Sequence, residues 1–155
     1  MEARTKEAAR LLAEHFIDYQ PRTSAEVRRR LLRGGFGAAL VEEVVHDLEQ
    51  AGLLDDARFC REWVESRTRS KGLGPRRLYA ELLKKGVPRD KIEEALQPLE
   101  VEAQLDRALE LARRRLERLD AEDPSTPSKI AGYLRRRGYD WDCVQQVCAL
   151  LLPNN

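Results

Sequence analysis

Three segments, Leu31-Leu32-Arg33-Gly34-Gly35-Phe36, Leu82-Leu83-Lys84-Lys85-Gly86-Val87 and Leu134-Arg135-Arg136-Arg137-Gly138-Tyr139, share one pattern: a leucine, three residues, a glycine, then an apolar or aromatic residue. The glycines stand 51 and then 52 residues apart, which marks an internal repeat. Eight positions before each glycine come Val27, Leu78 and Ile130. After it, positions six, nine and thirteen hold Val41, Ile92 and Val144, then Val44, Ala95 and Val147, then Leu48, Leu99 and Leu151. This is the spacing of one helical face on either side of a turn. Glycine tolerates the positive φ of a helix C-terminal cap, and the apolar residue after it can fold back as a staple.

A further apolar helix precedes each hairpin. The first spans Thr5 to Tyr19, with Ala8, Leu11, Leu12 and Phe16 inward; the second spans Asp56 to Arg69, with Phe59, Trp63 and Val64 inward. The last and longest runs from Val101 to Leu119. No stretch alternates with the period of a half-buried strand, and the prolines fall between elements. The expectation is an all-α fold of three tandem three-helix repeats, residues 1–52, 53–100 and 101–155, forming an elongated, curved, solenoid-like body. Residues 120–128, which contain Pro124 and Pro127, are the least periodic and the expected hinge.

Composition narrows the function. The 155 residues are 42% hydrophobic, enough to fold, and 35% charged, an excess that belongs on helix surfaces. The longest apolar run, Val147 to Leu152, is far short of the roughly 20 residues of a spanning helix. With no secretory pattern at Met1-Glu2-Ala3-Arg4, a cytoplasmic protein is expected. Cys60, Cys143 and Cys148 lack zinc or redox spacing and are expected to be reduced core residues, and His15 and His46 to be helix-surface residues. Gly72-Leu73-Gly74 lacks the Gly-Lys-Ser/Thr of a phosphate loop and is expected to be a turn, and Asp55-Asp56 to be a helix cap. No nucleophile, base or metal cluster is evident, so neither enzymatic activity nor a cofactor is expected.

The net charge of +1 hides a segregation. In the second helix of each repeat, Arg28, Arg29, Arg30 and Arg33 outweigh Glu26, then Arg76, Arg77, Lys84 and Lys85 outweigh Glu81, then Lys129 joins Arg135, Arg136 and Arg137. The third helices carry acids: Glu42, Glu43, Asp47 and Glu49, then a net of −3 over residues 89–102, then Asp140 and Asp142. Compensation of the helix dipole accounts for Arg33 or Lys85 near a C-terminus, but not for Arg28, Arg29, Arg76 and Arg77 near the start. Stacked repeats would align these cations into a stripe able to meet a polyanion or an acidic protein groove.

The run Leu53-Leu54-Asp55-Asp56-Ala57-Arg58-Phe59-Cys60-Arg61-Glu62-Trp63-Val64, followed by Arg67, Gly72-Leu73-Gly74-Pro75-Arg76-Arg77-Leu78, Glu81-Leu82 and Lys85-Gly86-Val87, resembles the RecX family of bacterial regulators of the RecA recombinase. The likeness is specific over residues 52–97 and rests on the repeat elsewhere. It implies a non-enzymatic, all-helical protein that binds the RecA filament on single-stranded DNA. Such a protein lies in the filament's helical groove and restrains strand exchange, ATP hydrolysis and coprotease activity in DNA repair and the SOS response. A monomer that binds single-stranded DNA only weakly is expected. Arg76, Arg77, Lys84 and Lys85 are the expected centre of the contact surface, extended by Arg28, Arg29, Arg33, Arg135, Arg136 and Arg137. A sequence-independent nucleic-acid-binding protein is the first alternative, and a helical scaffold for another acidic protein the second.

Overall fold

The computed structural model describes residues 5–97 and 101–152, and the described residues form nine helices and no strand. In chain order these are α1 (Lys6–Tyr19), α2 (Ser24–Arg33), α3 (Ala38–Gln50), α4 (Asp56–Lys71), α5 (Pro75–Lys84), α6 (Arg89–Leu96), α7 (Val101–Leu116), α8 (Thr126–Arg136) and α9 (Trp141–Leu151). The fold is an all-α repeat, three helices per repeat, as the glycine register predicts. Leu99, assigned to the core by that register, lies outside the described residues.

Local chemistry sets the helix ends. Thr5 caps α1 by accepting the Ala8 N–H at 3.1 Å. Thr23 and Glu26 form a reciprocal capping box at the start of α2. The three repeated glycines close α2, α5 and α8 alike: Phe36, Val87 and Tyr139 each donate an N–H to Leu31, Leu82 or Leu134 at 3.2 Å. This six-to-one hydrogen bond, with φ of 91°, 85° and 97° at Gly35, Gly86 and Gly138, is the Schellman arrangement. The leucine four residues before each glycine is therefore doubly determined, since Leu31, Leu82 and Leu134 are fully buried and also carry the capping carbonyl.

Two element ends differ from expectation. Helix α4 runs two residues further, to Lys71, where Gly72 turns with φ of 62°. Helix α7 stops at Leu116 rather than Leu119, because Arg118 and Leu119 donate to the carbonyls of Arg115 and Leu116, three residues back, in a tightened last turn. Leu119 still packs on the core, which is why the apolar period outlasts the helix. The expected hinge at 120–128 is a hydrogen-bonded double turn: Asp123 accepts from Ser125 N and Oγ, both at 2.8 Å, and buried Thr126 donates its hydroxyl to the Asp120 carbonyl. Those two bonds from Ser125 hold the Asp123 carboxyl below its usual range.

The chain divides into two compact units, Met1–Glu62 with Leu82–Ile92, and Trp63–Glu81 with Glu93–Asn155. Their boundary passes through α4, α5 and α6. The first unit has a core of Ala9, Ala13, Val27, Leu31, Val41, Val44, Val45, Leu48 and Leu54, with Phe16 packed beside it. The second is built on Ala108, Ala112, Ile130, Leu134, Tyr139, Val144 and Val147. Leucine, valine and alanine at helical spacing supply nearly all of this, and burying each large side chain contributes about 1.5–3 kcal/mol.

Candidate functional site

Each unit contains the same joint between repeats: the start of one second helix sits on the glycine turn that ends the next. In the first unit the N-terminus of α2 meets the turn after α5. Thr23, fully buried, accepts the Glu26 N–H and donates its hydroxyl to the Lys85 carbonyl at 2.7 Å. Glu26 in turn lies 3.6 Å from the Lys85 ammonium. The Ser24 N–H, a free first-turn donor, is taken at 2.9 Å by Asp56, itself buried.

Asp55 and Asp56 thus divide the capping role expected of both. Asp55 accepts the Arg58 N–H at 3.0 Å and caps its own helix, a bond that holds its carboxyl below the usual range. Asp56 caps α2, a helix of the preceding repeat.

In the second unit the N-terminus of α5 meets the turn after α8. Here two free first-turn donors, Gly74 N–H and Arg76 N–H, are accepted by the carbonyls of Arg137 and Gly138 at 2.6 and 3.0 Å. The unpaired amides at one helix start thereby satisfy the unpaired carbonyls at another helix end, and the two dipoles meet head to tail. Arg77 donates to the Arg136 carbonyl at 2.9 Å, Arg137 donates to the Lys71 carbonyl, and the Tyr139 hydroxyl donates to the Gly72 carbonyl at 2.8 Å. Burial raises the Tyr139 phenol above its ordinary value, against the opposing charge of Arg107. The glycine is required twice in each joint. A Cβ on Gly86 would overlap the Ala25 Cβ, and one on Gly138 would overlap Arg77 backbone and Cβ.

These joints engage several cations that the charge pattern assigns to a binding surface. Within the second unit the structure brings Arg76 and Arg77 together with Arg136 and Arg137, yet Arg77 and Arg137 serve as hydrogen-bond donors to helix-end carbonyls. Arg76 pairs with Asp140 at 2.8 Å while its side chain stays 77% exposed. Arg135 lies 5.5 Å over the exposed ring of Trp141. Within the first unit Arg28 pairs with Glu42 of α3 at 2.8 Å, and Lys85 is half-buried against Glu26. Arg29, Arg33 and Lys84 are exposed and make no ion pair among the described residues. The acids of the third helices are in part neutralised locally, since Glu43 and Asp47 both hold Lys6 of α1, at 2.9 and 2.8 Å.

The other candidates resolve plainly. Phe59 is buried as expected. Trp63 is only half-buried, its indole N–H on Glu81 at 3.0 Å and the Arg67 guanidinium 4.2 Å over its ring, so that face is already stacked. His15 and His46 are exposed. All three cysteines are free; Cys60 and Cys143 are buried and Cys148 is partly so. Burial pushes the Cys60 thiol up to about 11, which removes its nucleophilic form at neutral pH. Among the described residues no group of His, Cys, Asp and Glu is placed to hold a metal, and no helix is long and apolar enough to cross a membrane.

Sequence comparison extends to all three repeats. Sequence profiles for the first, second and third three-helix domains of RecX match residues 9–48, 55–96 and 102–148. The chain belongs to the RecX family. It is similar to regulatory protein RecX of Mycobacterium avium (strain 104), 36% identical over 144 residues covering 92% of this chain and 83% of that protein. To regulatory protein RecX of Mycolicibacterium vanbaalenii it is 36% identical over 155 residues, covering 96% and 84%. The crystal structure of RecX from Lactobacillus salivarius shares the fold, with a TM-score of 0.87 at 22% identity over 94% of this chain and 96% of that one. A second crystal structure, of regulatory protein RecX, gives 0.78 at 20% identity over 97% and 72%. In this member of the RecX family, Asp55 and Asp56 cap α4 and α2, and Gly74, Arg76, Arg77 and Gly86 take part in the two joints.

Proposed function

We propose that this RecX-family protein binds the RecA filament on single-stranded DNA, along the filament's helical groove, and restrains strand exchange, ATP hydrolysis and coprotease activity without chemistry of its own. The reading is supported above all by match to the family over all three repeats. A regulator of this kind needs a contact surface rather than a pocket. The candidate contact residues are Arg28, Arg29, Arg33, Lys84 and Lys85 of the first unit and Arg76, Arg77 and Arg135 to Arg137 of the second, each with a distinct duty. Among the described residues Arg29, Arg33 and Lys84 have no ion-pair partner to give up. Arg76 holds an exposed pair worth about 0–1 kcal/mol, which a phosphate or a carboxylate of the filament can replace. Arg77, Arg137 and Lys85 act mainly by fixing the joints that carry the others.

The test is a titration into recombinase filaments, reading ATP turnover and filament length together. Wild type should suppress turnover. Arg29→Glu with Arg33→Glu and Lys84→Glu should retain helicity and melting temperature while the concentration for half-suppression rises about tenfold or more, a loss of about 1.4 kcal/mol. Unchanged suppression would remove these three residues from the surface. Absence of suppression by the wild-type protein itself would remove the filament reading. Equal affinity for filament and for bare single-stranded DNA would favour a general nucleic-acid-binding protein.

A further inference from the structure

Within the second unit, the end of α4 and facing residues of α7 and α8 enclose a cleft of about 350 Å³. Its lining carries Arg69, Lys71, Arg107, Arg114 and Arg137 against the single carboxylate of Glu110. Cations at a helix C-terminus are ordinary, and most of these have partners. Arg137 donates to the Lys71 carbonyl, Arg69 pairs with Glu65 at 3.2 Å, and Arg114 takes Glu110 at 2.5 Å.

Arg107 differs. Its guanidinium hydrogen-bonds Tyr139, but among the described residues Nε and Nη2 are buried without an acceptor, and the Thr68 hydroxyl on the same lining is buried without a partner as well. Buried donors left unsatisfied are rare, and on a charged group they are the costliest kind. A guanidinium can only donate, so three unmet groups beside an excess of positive charge call for a ligand rich in lone pairs and negative. The cleft exceeds by far the roughly 30 Å³ share of one water molecule. Exposed Arg69 and Lys71 at its edge suit a chain of charges passing over it rather than a single enclosed ion.

We propose that this cleft is a phosphate-binding site that seats a backbone phosphodiester of single-stranded nucleic acid on the Arg107 guanidinium and the Thr68 hydroxyl. Of the cations assigned above to the filament surface the site shares Arg137 alone, and it requires no recombinase.

The test uses the full chain, fluorescence anisotropy of labelled oligothymidylate at low salt, and the variants Arg107→Met and Thr68→Val. Arg107→Met should weaken binding about tenfold and make the dependence of log K on log salt shallower by about 0.7, the value of one phosphate on a single strand. Its melting temperature should hold or rise, because an unpaired buried charge is gone. Thr68→Val should weaken binding less. Inorganic phosphate should raise the melting temperature of wild type, but not of Arg107→Met, relative to chloride at equal ionic strength.

Unchanged oligothymidylate affinity in a folded Arg107→Met overturns the assignment, even if inorganic phosphate still stabilises wild type, since that would be a small-anion site. Equal competition by polyglutamate overturns it in favour of an acidic protein. Should Arg107→Met fail to fold, Thr68→Val decides: unchanged affinity there overturns it. Because no filament is present, these outcomes are independent of the filament titration.

Discussion

The two joints reach the same backbone arrangement by different chemistry. At the first, Thr23, Ser24 and Asp56 are buried and the bonds run through a hydroxyl and a carboxylate. At the second, amides and carbonyls of two helix ends meet directly, and exposed guanidinium groups frame them. The difference teaches that the repeat specifies a place for contact, a helix start on a glycine turn, while the side chains that seal it are free to vary. It also separates stability from surface chemistry. The first joint is sensitive to the loss of single buried atoms, whereas the second rests on backbone and can expose its arginines.

Substitution should magnify that contrast. The largest effect is expected from Gly138→Ala, which strains φ of 97° and drives a methyl into the Arg77 backbone; about 3 kcal/mol or more should be lost in urea denaturation. Gly86→Ala meets a side chain instead, so Ala25→Gly in the same chain should recover part of its loss, and a double-mutant cycle should show coupling. No side-chain change should rescue Gly138→Ala. If one does, the second joint is not held by backbone.

Next in size is Asp56→Ala, which leaves the buried Ser24 N–H without an acceptor at a cost of about 1–3 kcal/mol; Asp56→Asn, which keeps an oxygen there, should cost less. Thr23→Val removes the cap and the bond to Lys85 together and should cost about 1–2 kcal/mol. The smallest effect belongs to the exposed joint. Arg76→Ala should change stability by no more than about 1 kcal/mol and by less as salt rises, seen in denaturation midpoints at two salt concentrations. An Arg76→Ala loss as large as that of Asp56→Ala would dissolve the contrast.

The helices, their order and their glycine turns were legible because each is set by neighbours within a few residues. Leu134, Gly138 and Tyr139 announce one cap among themselves. The second duty of Gly138 was not legible, since it depends on Arg77, distant in sequence and adjacent only after folding. Asp56 illustrates the same limit: as the residue opening a helix it looks like a local cap, but its acceptor serves α2. The capping box of Thr23 and Glu26 was not read from the sequence, and its pattern would have marked only the local half of the first joint. Among the site candidates, charge counting found the cations but not their employment. An arginine near a helix end signals net charge in the sequence, whether it faces solvent, as Arg29 does, or closes a carbonyl, as Arg77 does. Arg107 gave no sign at all, because α7 has basic residues at many positions and only burial distinguishes this one.

The amides of Gly74 and Arg76 sit at a helix start, where main-chain protons ordinarily swap with solvent deuterium soonest. Here each is capped by a carbonyl from 60 or so residues further along the chain. Their deuterium uptake should therefore be slow and should keep pace with that of the far end of α8, so that one pair of protons times the opening of two helices at once.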